Sequence, residues 1–403
     1  APVQQRMLDI GAYMREGLLN EESNLQFGEG GAGAFSDGKL TTGIKDPLCQ
    51  VVLDALVAHG APEEILYLQR PHIGTDKLPQ VVASMRRKVE ALGGQVLFHT
   101  RLTGLEPHHG AVVGVRYEQD GQEHVLPAQK VLLALGHSAR DTQRMLRDAG
   151  LLMSPKPFSM GVRIEHPQEL IDRAQYGASA GHEKLPPAEY HLSARTRDGR
   201  GVYTFCMCPG GRVMGASSEQ GHLCVNGMSR ILRDAPNANS ALLVDVRVED
   251  YFRNDPLDGF AFQRRFEQLA YQAGGGGFTA VVQRVADFLK GQASTALGAV
   301  KPSYLPGVVP GDVAALLPDF VAEGIREGIL RFDRQIRGFA LPDAVLTGVE
   351  TRSSAPVRVT RDDNKMGSIA GVFPAGEGAG HAGGIMSAAV DGLRSAQELI
   401  ASM

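Results

Sequence analysis

Glu377 stands in "FPAGEGAGHAGGIMSAAVDG", a glycine-rich loop between an apolar run and a helix-like tail. A carboxylate there is an acceptor suited to the hydroxyls of a sugar-like chain. Two glycine patterns bear on the same chemistry. Gly28, Gly30 and Gly33 spell G-x-G-x-x-G in "FGEGGAGAFSDGKL", and Gly378, Gly380 and Gly383 spell it again in the tail. Glycine lets peptide N–H groups approach a bulky anionic ligand, and a helix start adds partial positive charge. A dinucleotide fingerprint asks for more: a strand before, a helix after, and an acid about 20 residues on, closing a second strand. The polar "EESNLQ" before Gly28 is no buried strand, and "AFSDGKLTTG" after the loop is no helix. The tail has strand and helix, but no second strand fits before Met403. Neither loop is a complete mononucleotide-binding unit. Each reads either as a ligand-facing loop or as a structural turn.

Other reactive types are sparser. Cys206 and Cys208 lie two apart in a strand-like run, hence on one face. That spacing strains a disulfide, and two small buried apolar residues are the favoured reading. No C-x-x-C, H-E-x-x-H or Ser-His-Asp grammar appears, so neither zinc chemistry nor triad hydrolysis is indicated. Gly274 to Gly277 lack the Lys-Ser/Thr of a P-loop. Glu350 and Arg352 in "GVETRSS" read either as substrate-facing groups or as an ion-paired structural set.

Composition narrows the class. The 403 residues suffice for two or three domains, and 43% hydrophobic with 21% charged content is globular. A net charge of -4 gives no electrostatic case for nucleic acid or an anionic membrane. No apolar run approaches the roughly 18 residues of a membrane helix. Four cysteines are too few for a disulfide framework, which leads us to expect a reducing cytoplasm. The 49 glycines, well above the usual share of about 7%, point to many tight backbone approaches.

Periodicity supplies the elements. "VQQRMLDIGAYMREGLL" is an amphipathic helix. "DPLCQVVLDALVAHGAP" is a helix with Asp46 as N-cap, Pro47 next and Gly60 past its end. "TDKLPQVVASMRRKVEALGG" carries the stripe Val82, Met85, Val89, Leu92. "QVLFHTRLTGLE", "GAVVGVRYEQ" and "QEHVLPA" form a meander turning at His109-Gly110 and Asp120-Gly121. "KVLLALG" is a buried strand ending on Gly136, and Ser138 with Asp141 has capping-box spacing for the next helix. Residues 156–340 alternate Gly-punctuated strands with helices. The tail helix has Ile385, Ala389, Leu393, Ala396 and Ile400 on one face.

A meander closed by "LLALG", followed far downstream by a strand ending in Gly-Glu before a helix, resembles the glutathione-reductase-like FAD-binding superfamily. More closely, the chain resembles a bacterial family of FAD-dependent dehydrogenases, the NAD(FAD)-utilising dehydrogenases. The matching stretches are "NLQFGEGGAGAFSDGKL", "RPHIGTDKL", "GHSARDT", "FCMCPGG", "CVNGMS", "GVETRSSAPVR" and "FPAGEGAGHAGGIMSAAVDG". The resemblance implies an α/β fold with a three-layer FAD/NAD(P)-binding domain built from residues 1–155 and 341–403. An inserted α+β substrate domain would occupy 156–340. The family's fingerprint would lie upstream of residue 1, so the domain is expected to lack its first βαβ. The implied activity is FAD-dependent oxidoreduction of a small-molecule substrate, with hydride passing through flavin and NAD(P)H as candidate donor. An RNA-modifying or methyl-transferring flavoprotein and a non-catalytic FAD-binding module remain alternatives. By the same resemblance, Glu377 meets a ribityl hydroxyl, and Gly376, Gly383, Gly384 and Ile385 bring the last helix to the flavin. Ser36, Asp37, Gly38, Lys39 and Leu40 would line the ring face, and Gly30 and Gly31 would contact the cofactor. Leu102 would pack on adenine, and Gly136 would approach the cofactor.

Overall fold

His109, Gly110, Asp120 and Gly121 all take positive φ in the computed structural model, which describes residues 1–403. Two consecutive left-handed residues make a tight hairpin turn. The strands Thr100–His108, Ala111–Gln119 and Gln122–Pro127 therefore pair antiparallel in that order, as the expected meander. Leu105 and Val112 of the meander pack with Leu133 and Val372. Those two residues belong to the short strands Val131–Leu133 and Val372–Pro374, which pair in parallel from distant parts of the chain. The C-terminal helix Ile385–Ala401 packs on the same pair. Helix, parallel pair and meander give the α/β layering expected of an FAD/NAD(P)-binding domain.

A seven-stranded sheet occupies the middle of the chain. Its order is Val308–Pro310, Ala280–Arg284, Val345–Glu350, Phe158–Pro167, Asn237–Val246, Gly201–Cys208, Ser193–Arg195. Only the first pair is parallel. Phe158–Pro167 lies at the centre and is buried along almost its whole length. Its polar members are thereby forced into internal partnerships: Arg163 with Glu350, and Glu165 with Ser303. The sheet takes in Val345–Glu350 and so reaches past residue 340, where the sequence set a boundary. The N-terminal helix Val3–Glu16 also docks on this middle region. Tyr13 meets Phe278 edge to face at 5.0 Å and donates to Ser217 Oγ at 2.9 Å.

Three local expectations need correction. The helix Leu78–Ala91 buries Leu78, Val81 and Ala83, while Val89 and Leu92 are exposed, because only its first half is packed. The tail helix turns Met386 and Val390 inward, one residue on from the expected stripe, and Ile400 projects into solvent. The helix Arg140–Asp148 starts after Ala139 with no side-chain cap. Ser138 instead shares a hydrogen bond with the His137 ring at 3.0 Å and accepts one from Arg352 at 3.3 Å.

Arg352 also belongs to the buried network that joins the two sheet systems. Glu267, fully buried on the helix Asp258–Ala273, accepts from Arg140 at 2.8 and 2.9 Å and from Arg352 at 2.8 and 2.9 Å. Glu219 adds a bond from Arg140 at 2.7 Å. Burial pushes the Glu267 carboxyl upward, but Arg140 and Arg352 outweigh it and hold it well below the usual range. Its folded value is thus depressed, so its contribution to stability is present above an unfolded value of about 4.3 and is lost as pH falls. Glu267→Ala leaves Arg140 and Arg352 with Glu219 as their one remaining acidic partner and should cost about 3–5 kcal/mol in urea denaturation at pH 7. Glu267→Gln should flatten the acid limb of the stability curve below about pH 4.3.

Candidate functional site

The first glycine loop is held from beneath by Arg6, a fully buried side chain of the N-terminal helix. Its guanidinium donates to the carbonyls of Asn24 at 2.9 Å, Leu25 at 3.2 Å and Glu29 at 2.5 Å. The same group lies 4.6 Å from the centre of the Phe35 ring. Burial lowers the Arg6 pKa to about 10, so it stays a cation at neutral pH. The Glu29 carboxylate closes the loop by accepting from Val3 N and Arg86 Nε, both at 2.8 Å. The loop thus spends its carbonyls inward. Gly30 is left exposed, and Gly31 has open space where a side chain would stand.

Three bare backbones meet beyond it. A Cβ at Gly33 would lie 3.4 Å from Ile385, the first residue of the C-terminal helix. A Cβ at Gly378 would lie 2.3 Å from the carbonyl oxygen of Gly136, so the tail loop rests directly on the end of the Val131–Leu133 run. Gly136, Gly383 and Gly384 are exposed, and a Cβ on any of them would meet nothing within 4 Å. The Ile385, Met386 and Ser387 amides at the helix start have no protein acceptor. Gly376 N donates to Asp391 Oδ2 at 2.7 Å, which pins the loop to that helix.

Glu377 sits at this junction and accepts no hydrogen bond from the protein. His137 Nε2 stands 3.8 Å from its Oε1. That ring is neutral: burial, followed by Arg352 and Arg140, lowers its pKa to about 3. Burial raises the Glu377 carboxyl to about 7 against the pull of Lys156. The result is a half-buried acceptor with free lone pairs and a proton affinity near neutrality.

The remaining sequence candidates divide. Ser36 donates to Gly33 O at 2.9 Å and accepts from Gly38 N at 3.1 Å, which fixes the loop's exit. Gly38 and Leu40 bond toward the neighbouring segment, through Ile73 N at 3.2 Å and Pro71 O at 3.0 Å. Asp37 is buried and accepts from Ser229, from Lys39 at 2.6 Å and from Arg233 at 3.3 Å. Lys39 also donates to the carbonyl of Met207, so its charge is engaged inside the protein. Burial would lower the Lys39 pKa, but Asp37 overcomes it and the net shift is upward. Leu102 lies on the meander, half-buried against the cluster holding Leu133 and Ala379. Glu350 and Arg352, left open between two readings, are both ion-paired, with Arg163 and Glu267. A cleft of about 360 Å³ is lined by Asp9, Ala12, Gly17, Leu18, Leu19, Asn20 and Gln220, away from this junction.

Arg6, His137 and Lys156 escaped the sequence reading. Arg6 lay in the helix-like "VQQRMLDIGAYMREGLL" and His137 in "GHSARDT", neither with a role assigned. Cys206 and Cys208 do not share a strand face. Phe205 pairs with Ala241 and Cys208 with Asn239, so Cys206 and Met207 bulge opposite Ser240.

A curated Clostridium beijerinckii protein described as uncharacterized is 49% identical over 400 residues, covering 99% of this chain and 74% of that protein. The domain family "FAD-dependent protein, C-terminal domain-like" matches residues 157–353. Among solved structures, the chain is similar to the glycerol-3-phosphate dehydrogenase from Bacillus halodurans complexed with FAD, at 13% identity and a TM-score of 0.39. It is aligned over 100% of its own length and spans 63% of that enzyme. It is also similar to the 3-ketosteroid-delta4-(5alpha)-dehydrogenase from Rhodococcus jostii, at 12% identity and a TM-score of 0.38, covering 93% of this chain and 89% of that one. Likeness at this level carries no functional argument.

The raised Glu377 pKa has a measurable sign. The folded state holds its proton above the unfolded value of about 4.3, so this group's contribution to stability declines as pH rises from there toward 7. In infrared difference spectra, a carboxylic-acid band should bleach with a midpoint at about pH 7. Glu377→Gln should remove that component and leave the one from Glu350, which burial also raises to about 7.

Proposed function

The chain belongs to one family with the Clostridium beijerinckii protein, and from the FAD-dependent domain family matched at residues 157–353 we propose that it is an FAD-dependent oxidoreductase. The observation that carries the reading is the meeting of three bare backbones, at Gly33, Gly136 and Gly383–Gly384, around the unpartnered Glu377 carboxylate. The residues fit a flavin. Glu377 has free acceptor capacity for a ribityl hydroxyl. The Ile385, Met386 and Ser387 amides offer donors and the positive end of a 17-residue helix to the anionic pole of the ring. Gly31 has open space where a side chain would stand, and Gly30 beside it is exposed. Ser36, Asp37 and Lys39 hold the loop that would lie along the ring, with Lys39 fixed rather than free to sweep the site.

Flavin, when bound, supplies hydride acceptance and donation. The chain's own part is to seat it, to keep His137 neutral beside it, and to present Glu377 as a group that exchanges a proton near pH 7. A small-molecule substrate would enter where the glycine loops face the seven-stranded sheet, with NADH or NADPH as donor. The four free cysteines suit a reducing cytoplasm.

Titration with FAD, followed by anaerobic addition of NADH or NADPH, tests the reading. Glu377→Ala should weaken FAD binding about 10- to 100-fold, the value of a hydrogen bond to a charged acceptor. At least one donor should bleach the wild-type flavin. Unchanged affinity in the variant would remove Glu377 from the site, and failure of both donors would contradict a pyridine-nucleotide-fed dehydrogenase.

A further inference from the structure

The segment Phe205-Cys206-Met207-Cys208 ends a strand of the seven-stranded sheet with an irregularity that has chemical consequences. Cys206 and Met207 bulge opposite Ser240, and Cys206 takes a left-handed φ of 43°. A bulge re-aims a side chain, and bulges collect beside functional sites. Here it turns Cys206 toward the surface, where it is half-buried, while Cys208 stays fully buried. The Cys208 thiol donates to the Cys206 carbonyl at 3.3 Å, and neither cysteine is in a disulfide. Two cations are anchored on the peptide groups between them. Arg163 Nη1 donates to Cys206 O at 2.8 Å, and Lys39 Nζ donates to Met207 O.

We propose that Cys206 and Cys208 form a peroxide-oxidisable dithiol, with Cys206 the attacking thiolate and Cys208 the resolving thiol. The Cys206 sulfur attacks one oxygen of hydrogen peroxide, the O–O bond breaks, and hydroxide leaves and is protonated to water. The Cys208 sulfur then attacks the resulting sulfenic acid, forming the S–S bond. The second hydroxide leaves with the Cys208 proton as water. Two thiols are oxidised by two electrons, and peroxide is reduced to two waters.

The surroundings favour these roles. The adjacent Cys208 side chain brings the Cys206 thiol down to about 6 against the effect of burial, helped by Arg163 and Lys39 and opposed by Asp37. Cys208 is pushed up by the same pairing and by burial, so it keeps its proton until the second step. Glu350 and Glu377 also face Cys206, and both are raised toward neutrality by burial, which lessens their repulsion of a thiolate. Cys208 lies beside its partner's backbone, and the bulge departs from the regular strand spacing that would strain the link. The proposal is independent of the flavin reading, because it is tested on the chain without cofactor.

The test treats the reduced full chain with one equivalent of hydrogen peroxide at pH 7. Titratable thiols should fall from four to two after denaturation, with peptide mapping placing the link between residues 206 and 208. Iodoacetamide labelling of Cys206 against pH should show a midpoint at about 6. Cys208→Ser should stop at the sulfenic acid, trapped by dimedone on residue 206. The proposal is overturned if peroxide is consumed at Cys49 or Cys224 while Cys206 survives. A Cys206 labelling midpoint at the ordinary thiol value of about 8.5 would overturn it equally. The labelling and peroxide arms use the wild-type chain, so a misfolded variant cannot mask the outcome.

Discussion

A single methyl group at residue 378 would fall 2.3 Å from the carbonyl oxygen of Gly136, and much of the site depends on its absence. The close approach sets the tail loop on the end of the Val131–Leu133 run and brings Glu377 beside His137. Gln143 secures it by donating to Gly378 O at 2.7 Å. Asp391 secures the other side, accepting from Gly376 N and from Arg361. With the loop clamped from two helices, the C-terminal helix must begin at Ile385, against Gly33 of the first glycine loop. Arg6 fixes that loop from below. A geometry assembled from both ends of the chain therefore rests on one missing side chain and three polar anchors, Gln143, Asp391 and Arg6.

Charge is distributed around this junction with a consistent logic. Four of the deeply buried guanidiniums nearby are ion-paired, Arg140 and Arg352 with Glu267, Arg163 with Glu350, Arg233 with Asp37, while Arg6 is held by loop carbonyls. These pairs are costly to bury and costly to break, so they fix where the elements meet more than they add net stability. Glu377 is the carboxylate left without a donor, and His137 is the imidazole kept neutral by neighbouring arginines. An unsatisfied acceptor is expensive in a finished core, but it is a prepared seat where a ligand brings hydroxyl donors.

The sequence spoke clearly wherever structure is local. The His109-Gly110 and Asp120-Gly121 turns dictated the meander, and the strand, glycine loop and helix of the tail were readable from residue types alone. Asp46 accepts from Leu48 N at 2.9 Å, as its capping position implied. Stripe phase was less legible. Leu92 and Ile400 carry apolar side chains on helix ends that run past their partners, and no periodicity reveals where a partner stops. The anchors were hidden for a different reason. Arg6 looks like a surface residue of an amphipathic helix until the chain folds its own loop carbonyls over it. Glu267 meets Arg140 and Arg352 only because three distant segments cross. The Cys206 bulge breaks the strand parity that spacing alone predicts.

Hydrogen exchange read by mass spectrometry, with and without FAD, tests the central claim most directly. Residues 28–40, 134–138 and 376–387 should gain protection together and with the same FAD dependence, because one ligand would cover all three. Protection confined to one of these segments, or centred on the cleft near Asp9 and Gln220, would contradict a shared flavin seat.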